Sequence, residues 1–323
     1  MLKKKKALIF GCTGQDGLYL SNLLLLKNYD VFGASRDPSN SKLLHFSNFG
    51  IEGRIKFISV SLIDFRSVIQ AIKLIKPDEI YNLSGQSSVA LSFDQPVETF
   101  ESIVIATINI LEAIKFLELP CKFYNAGSSE VFGNSNKPVD ENSPFHPKSP
   151  YGIAKATSFW EVLNYRESYG LFASTGILFN HESPLRNERF VTKKIIDSID
   201  LISQKKLDKL YLGNLNVSRD WGWAPEYVEA MWLMLQSEIP SDYIIATGET
   251  MSLEYFVKKS FELYDLDWEK YVVINSDLLR PNDISIGRAN PSKAYSELNW
   301  QAKVKTDLLI EKLVDCKKKN KYL

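Results

Sequence analysis

Lys6-Ala-Leu-Ile-Phe10 runs directly into Gly11-Cys-Thr-Gly-Gln-Asp-Gly17, and a leucine-rich stretch from Leu18 to Leu26 follows. The short apolar run predicts a buried strand, the glycines a turn, and the leucine-rich stretch a helix. Glycines in that place let the backbone pass close to a pyrophosphate, whose charge meets unpaired N–H groups and the positive end of the helix dipole. The spacing is Gly-x-x-Gly-x-x-Gly rather than the commoner Gly-x-Gly-x-x-Gly. Strand and helix on either side make it a dinucleotide cradle rather than an ordinary tight turn.

Working outward, Tyr29 to Ser35, Ile55 to Val60, Glu79 to Leu83, Lys122 to Ala126 and Phe172 to Phe179 read as further strands. Helical stretches such as Val97 to Phe116 and Ala154 to Ser168 lie between them. Alternation of this kind predicts an α/β fold, a doubly wound parallel Rossmann sheet. After Asn180 the pattern loosens into helices, short strands and polar loops, punctuated by Pro184, Pro225, Pro281 and Pro291. The division expected is a dinucleotide-binding domain over 1–178 and a smaller mixed α/β substrate lobe over 179–323, with some segments of the latter returning to the first.

The second strand ends in Arg36-Asp37, where cofactor choice is usually made. Arg36 can pair with a 2′-phosphate by charge-assisted hydrogen bonds, while Asp37 opposes it. The expectation is NADP, with NAD as the alternative.

Among the 323 residues, 39 Lys and Arg balance 39 Asp and Glu, and 45% are apolar. A large core is affordable, and no global field draws the chain to nucleic acid or to an acidic membrane. The basic runs Lys3 to Lys6 and Lys317 to Lys321 read as solubilising tails. No run approaches the ~20 apolar residues of a membrane span, and no signal-peptide pattern is present. Cys12, Cys121 and Cys316 have no metal-ligand spacing and point to a reducing compartment, hence the cytoplasm. His45, His146 and His181 are too scattered for a metal site.

Tyr151 and Lys155 stand four residues apart at the start of a helix introduced by Ser149-Pro150, so they share one face. A phenol titrates near 10, and an adjacent ammonium favours its phenolate form. Lys155 is expected to do this while holding the nicotinamide ribose. Ser128, just past a sheet strand, is expected to bond the same substrate oxygen. Glu130 beside it is expected to take a proton from carbon. The catalytic set is therefore Ser128, Glu130, Tyr151 and Lys155.

The chain resembles the GDP-mannose 4,6-dehydratases, extended short-chain dehydrogenases/reductases, along nearly its whole length. The resemblance rests on Gly11 to Gly17, Tyr81-Asn-Leu83, Gln86-Ser87, Ser149-Pro-Tyr151, Gly176-Ile-Leu-Phe-Asn-His-Glu-Ser-Pro184, Leu212-Gly-Asn-Leu215, Arg219-Asp-Trp-Gly222, Tyr227 to Leu235 and Pro291-Ser-Lys-Ala294. It implies transient oxidation of a GDP-linked hexose at C4, loss of water across C5 and C6, and return of hydride to C6. Cofactor contacts are expected from Gly11, Thr13, Gly14, Gln15, Asp16, Gly17, Arg36, Leu83, Tyr151, Lys155, His181 and Arg186. Substrate contacts are expected from Ser87, Asn180, Val191, Lys194, Gly213, Asn214, Arg219, Arg280 and Asp283, with Asp283 near the ribose where the family carries Glu. A homodimer or homotetramer is implied, with the loop Arg36 to Ser41 reaching a neighbour's cofactor site.

Departures from the family gather near the sugar: Gly127 for Ser, Ser128 for Thr, Ser84-Gly-Gln-Ser-Ser88 for Gly-Ala-Gln-Ser-His, and Leu185 for Arg. Most remove bulk or charge, so GDP-N-acetylglucosamine stands beside GDP-mannose as the expected substrate. Arg36-Asp37 for Arg-Arg, and Ser61 for Asp, bear in the same way on NADP against NAD. Two other readings remain: an epimerase or reductase on the same scaffold, which has no use for Glu130, and a non-catalytic nicotinamide-binding sensor, which has no use for the catalytic set.

Overall fold

The computed structural model describes residues 3–37 and 44–322. Six strands follow one another along the first part of the chain: β1 (Lys6–Phe10), β2 (Asp30–Ser35), β3 (Lys56–Ser59), β4 (Glu79–Asn82), β5 (Lys122–Ala126) and β6 (Ala173–Leu178). A seventh, Tyr243–Ile245, adds itself beyond β6. The sheet runs Tyr243–Ile245, β6, β5, β4, β1, β2, β3, and every pairing is parallel. This is a doubly wound Rossmann sheet. Its strand order reverses between β1 and β4, which opens a crevice above their carboxyl ends.

Residues of β1 alternate between two cores. Leu8 and Phe10 join Val68, Ile72, Ile110 and Val162 on one face; Ala7 and Ile9 join Leu20, Leu24, Val228 and Met231 on the other. With both faces covered, the strand must be apolar throughout, and each large side chain so buried contributes about 1.5–3 kcal/mol. Ala224–Gln236, which starts with Pro225 in its first turn, buries Tyr227, Val228, Met231 and Leu235 at helical spacing. It lies against the glycine-turn helix Gln15–Leu26.

Sequence and structure agree on element order, with small differences in bounds. The glycine-turn helix starts at Gln15 rather than Leu18, because Gly14 occupies its N-cap. The helical run 96–116 contains a π-turn at Glu101–Ile105. There Gly85, at φ +114°, lies so close that a Cβ on it would stand 2.9 Å from Ile103 Cγ1. Ser102 Oγ meanwhile accepts from the Gln86 amide at 3.1 Å.

A separate core gathers Ile195 and Ile199 from Val191–Ser203, Phe256 and Phe261 from Leu253–Glu262, and Ile310 and Leu313 from Thr306–Lys319. Short strand pairs surround it: Leu210–Leu212 with Val272–Ile274, and Ser218–Arg219 with Met251–Ser252. Asn180–Glu182 pairs in parallel with Trp221–Trp223. Among the described residues no helix is long and apolar enough to cross a membrane. No group of three His, Cys, Asp or Glu among them could hold a metal ion. Cys12, Cys121 and Cys316 are free and buried.

The turn leaves no room at Gly17, where a Cβ would stand 2.4 Å from Gly11 O and 2.5 Å from Cys12 Cα; at Gly14 the nearest atom is 3.4 Å away. Gly17→Ala is therefore expected to cost about 1–3 kcal/mol, the usual range for overpacking, and Gly14→Ala less. Thermal denaturation of the two variants checks this, and equal losses would contradict it.

Candidate active site

Gly11 ends β1 at φ +81°, and a Cβ there would lie 2.6 Å from the carbonyl oxygen of Leu83, just past β4. No side chain caps the helix Gln15–Leu26, so its first N–H groups face the crevice. A cleft of about 1580 Å³ runs over this turn, lined in part by Gly11, Thr13, Gly14, Gln15, Asp16 and Gly17, with Arg36, Leu83, Ser87 and Arg186 further along. Glycines that cannot carry a Cβ, together with open amides at a helix start, fit the diphosphate of a dinucleotide. Arg36 is exposed at the end of β2, and Ser59 Oγ donates to its carbonyl at 3.1 Å. Of the loop Arg36 to Ser41, residues 38–41 lie outside the described residues.

Asp16 and His181 meet across the cradle. His181 Nε2 lies 2.9 Å from Asp16 Oδ2, and Nδ1 lies 2.8 Å from the Phe179 carbonyl oxygen. Both partners only accept, so both ring nitrogens donate and the imidazole carries a charge. Burial alone would disfavour these charges. The pair's mutual attraction outweighs it, holding His181 above its ordinary value and Asp16 below its own. Gln15 Nε2 donates to Asp16 Oδ1 at 3.0 Å and to the His181 carbonyl at 3.2 Å. The His181 ring stacks on Tyr227 at 4.6 Å. Tyr227 needs the bare Gly222, where a Cβ would be 2.3 Å from its ring. Arg186 lies over the Phe190 ring at 3.6 Å and pairs with the buried Glu182 at 3.3 Å.

Ser128 Oγ accepts from the Glu130 amide at 3.3 Å, capping the turn Ser129–Val131 two residues beyond β5. Ser149 Oγ accepts from the Gly152 amide at 3.0 Å and starts the helix Pro150–Tyr169. That helix begins against Glu130: a Cβ on Gly152 would be 2.9 Å from the Glu130 carbonyl oxygen. Ser128, Glu130, Tyr151 and Lys155 are thus brought together. Their electrostatics differ from the sequence expectation. Burial pushes Tyr151 up to about 12; a hydrogen bond from Ser128 opposes this, Glu130 adds to it, and Arg186 pulls it back. Lys155 lies beside the phenol ring and gives its hydrogen bond to a backbone carbonyl. Its Nζ donates to Ala126 O at 2.7 Å and lies 5.8 Å from the centre of the Tyr151 ring. Burial brings its own pKa down to about 8. Burial also raises Glu130, with Arg219 and Arg280 opposing and Asp283 reinforcing.

Glu130 and Arg219 line one small cavity with Phe132, Phe179 and Ile284. Arg219 Nη2 donates to Asp283 Oδ1 at 3.2 Å, and Arg280 Nη1 donates to the same oxygen at 3.3 Å. Asn180 pairs with Trp221, two residues past Arg219. Lys194 stands apart from these arginines in its bonding, donating to the Tyr211 carbonyl at 2.7 Å. Val191 opens the same helix. Gly213 lies beside the segment leading to Arg280, since a Cβ there would be 2.9 Å from Leu278 O. Asn214 Oδ1 accepts from the Asn216 amide at 2.9 Å. Two residues escaped the sequence reading. Asp220, pushed up to about 6 by burial, anchors the amides of Thr247 and Gly248. Glu182 is buried beneath Arg186. The Arg-Asp-Trp-Gly run was a signal for Asp220, and the run from Gly176 to Pro184 for Glu182.

One of the departures opens no space of its own. The space at Gly127 is filled by Thr175 and by the Gly176 carbonyl, 2.7 and 2.9 Å from where its Cβ would be. Leu185 packs partly against the core and also lines the cleft.

Residues 8–313 match the family model described as GDP-mannose 4,6 dehydratase. The chain belongs to the GDP-mannose 4,6-dehydratase family. It is accordingly a dehydratase, a hydro-lyase of nucleotide-sugar metabolism. It is 44% identical to GDP-mannose 4,6 dehydratase 2 of Arabidopsis thaliana, over 97% of this chain and 86% of that one. The GDP-mannose 4,6 dehydratase of Homo sapiens is 41% identical, with 95% and 90% covered. That of Vibrio cholerae is 38% identical, with 96% and 93% covered. Among solved structures, a dTDP-glucose 4,6-dehydratase of Bacillus anthracis in complex with NAD shares the fold at TM-score 0.84 and 18% identity, covering 98% of this chain and 97% of that one. RMD of Pseudomonas aeruginosa, complexed with NADPH, does so at TM-score 0.78 and 18% identity, with 97% and 98% covered.

The Asp16–His181 pair gives this dehydratase a pH signature. The stability that Asp16 contributes is present above its ordinary 3.8 and is lost as pH falls through its lowered value. That from His181 is present below its ordinary 6.5 and is lost as pH rises through its raised value. The melting temperature of the nucleotide-free protein should therefore exceed that of Asp16→Asn most between these two ordinary values, with the gap narrowing on both sides. A gap independent of pH would contradict the pairing.

Proposed function

We propose that the chain converts GDP-mannose to GDP-4-keto-6-deoxymannose with NADP as its resident cofactor. The observation that carries this reading is the junction of Ser128, Glu130 and Tyr151, where the Tyr151 helix begins against the Glu130 carbonyl. GDP-mannose is favoured over GDP-N-acetylglucosamine because the Arabidopsis, human and Vibrio relatives are each named for it, and because the bare position at Gly127 is filled by the neighbouring strand. Arg36, exposed beside the cleft, favours the 2′-phosphate of NADP.

In this reading the turn from Gly11 to Gly17 would take the cofactor's diphosphate and Lys155 its ribose, with Leu83, His181 and Arg186 as further cofactor contacts. Residues before about 178 take the cofactor and those after it mainly take the nucleotide sugar. Asn180, Val191, Lys194, Gly213, Asn214, Arg219 and Arg280 would hold the GDP half, with Ser87 toward the sugar. The bound nicotinamide supplies a reversible hydride acceptor. Tyr151, once the positive charges of Lys155 and of the bound oxidised nicotinamide favour its phenolate, would take the proton of the C4 hydroxyl, and Ser128 would donate to the same oxygen. A carbonyl at C4 acidifies the C5 proton. Glu130 removes that proton and returns it to the C6 hydroxyl as the C6–O bond breaks, so that water leaves and a C5–C6 double bond forms. Hydride at C6 and a proton at C5 complete the deoxysugar. A carboxylate raised by burial suits such a shuttle, because it holds a proton more readily than an exposed one and so is the stronger base.

The exposed Val97, Ile105, Ile153 and Trp160 stand on the neighbouring helices 96–116 and Pro150–Tyr169 and support assembly as a homodimer or homotetramer. The buried thiols suit the cytoplasm.

Glu130→Gln keeps the size of the side chain and removes the base. It should lower formation of the 4-keto-6-deoxy product from GDP-mannose by roughly 100-fold to 10,000-fold and abolish exchange of the C5 proton with solvent. Reduced nicotinamide should still form on mixing with substrate. Tyr151→Phe should show neither step. Parent-rate dehydration by Glu130→Gln would refute the assignment, as would a faster reaction with GDP-N-acetylglucosamine refute the substrate.

A further inference from the structure

Asp283 meets two arginines. Its Oδ1 takes three donors at once: Arg219 Nη2 at 3.2 Å, Arg280 Nη1 at 3.3 Å and the Ile284 amide at 2.9 Å. Arg219 is buried and faces Glu130 across a small cavity. Glu130, Arg219, Arg280 and Asp283 thus form a quartet whose formal charges cancel, with one carboxylate tethering both cations and the other left without a hydrogen-bond partner among the described residues. The Asp side chain, one methylene shorter than Glu, is held at this crossing by a backbone bond to the residue that follows it.

We propose that Asp283 is a positioning residue that gathers Arg219 and Arg280 on one oxygen and thereby couples the reactivity of Glu130 to occupancy of the diphosphate end of the site. The inference rests on the reading above, in which Glu130 is the carbon base and the two arginines meet the diphosphate. With the site empty, both guanidiniums stabilise the Glu130 carboxylate and Asp283 works against them. When a diphosphate arrives, its negative charge takes up the arginines and adds to that of Asp283. The Glu130 carboxylate then becomes a stronger base while the substrate is in place. The groups that act on Glu130 from the elements around it are Arg219 on the strand Ser218–Arg219, and Arg280 and Asp283 on the segment after Leu279. Glu130 in turn acts on Tyr151 across the site.

The two roles open to Asp283 separate in kinetics. Asp283→Asn keeps an acceptor oxygen for the arginines and the Ile284 amide but removes the charge that opposes the Glu130 carboxylate. The acid limb of the kcat profile with GDP-mannose should move to lower pH, kcat should fall roughly tenfold as the base weakens, and KM should not rise. Asp283→Glu restores the charge and should return the limb toward its original position. Arg280→Gln is the control of opposite sign: losing a cation should move the same limb to higher pH. It also serves if Asp283→Asn does not accumulate as folded protein, because Arg280 is only half-buried. An unmoved limb in these variants would overturn the proposal. So would a several-fold rise in KM at unchanged kcat for Asp283→Asn, which is what a ribose contact predicts. Glu130→Gln run alongside keeps the two failures apart: dehydration at the parent rate there would refute the base itself, whatever Asp283 does.

Discussion

The structure depends on how closely two glycines approach each other at the reversal of the sheet. Gly17 lies against the Gly11 carbonyl and Gly11 against the Leu83 carbonyl, at separations that leave no room for a single additional carbon. This contact sets the helix Gln15–Leu26 directly on the ends of β1 and β4. It thereby opens the crevice in which the cradle, Arg36 and the segment after Leu83 converge. The same helix carries Asp16 to His181, and so fixes the start of the strand pair Asn180–Glu182 with Trp221–Trp223, next to Arg219. The cofactor cradle and the arginine cluster are therefore linked through a few residues.

Burial governs the chemistry of the site. It displaces Tyr151, Lys155 and Glu130 each toward the neutral form. Ligand charge then has leverage, because interactions in a dry site are screened far less than in water. Diphosphates arriving on the two sides of Tyr151 and Glu130 are the natural source of that charge. Asp16 and His181 behave in the opposite way, each holding the other ionised, and they provide a fixed dipole beside the cradle.

Much of this was legible in the sequence, for local reasons. Strand β1 and strand β5 have the bounds that their apolar runs predict, and Ser149-Pro150 starts the helix that puts Tyr151 and Lys155 on one face. What the sequence did not reveal depends on contacts distant along the chain. Tyr243–Ile245 joins β6 as a seventh strand, and no spacing in three residues announces its partner. The expected effect of Lys155 on Tyr151 rested on their shared helix face; only the fold adds that the ammonium donates to the Ala126 carbonyl. The loss of a side chain at Gly127 read as added room at the sugar, whereas β6 fills the space. Asp283 was expected near the ribose because the family carries Glu there, and the structure shows in addition that Arg219 and Arg280 both donate to one of its oxygens.

The central claim is that the hydrogen leaving C4 returns to C6 of the same sugar while Glu130 exchanges the proton at C5. The most direct test is to convert GDP-mannose carrying deuterium at C4 in ordinary water and locate the label in the product by NMR. The account predicts deuterium at C6 within the same molecule, with ordinary hydrogen introduced at C5. Loss of the label to solvent, or its transfer to NADP added in excess, would contradict it.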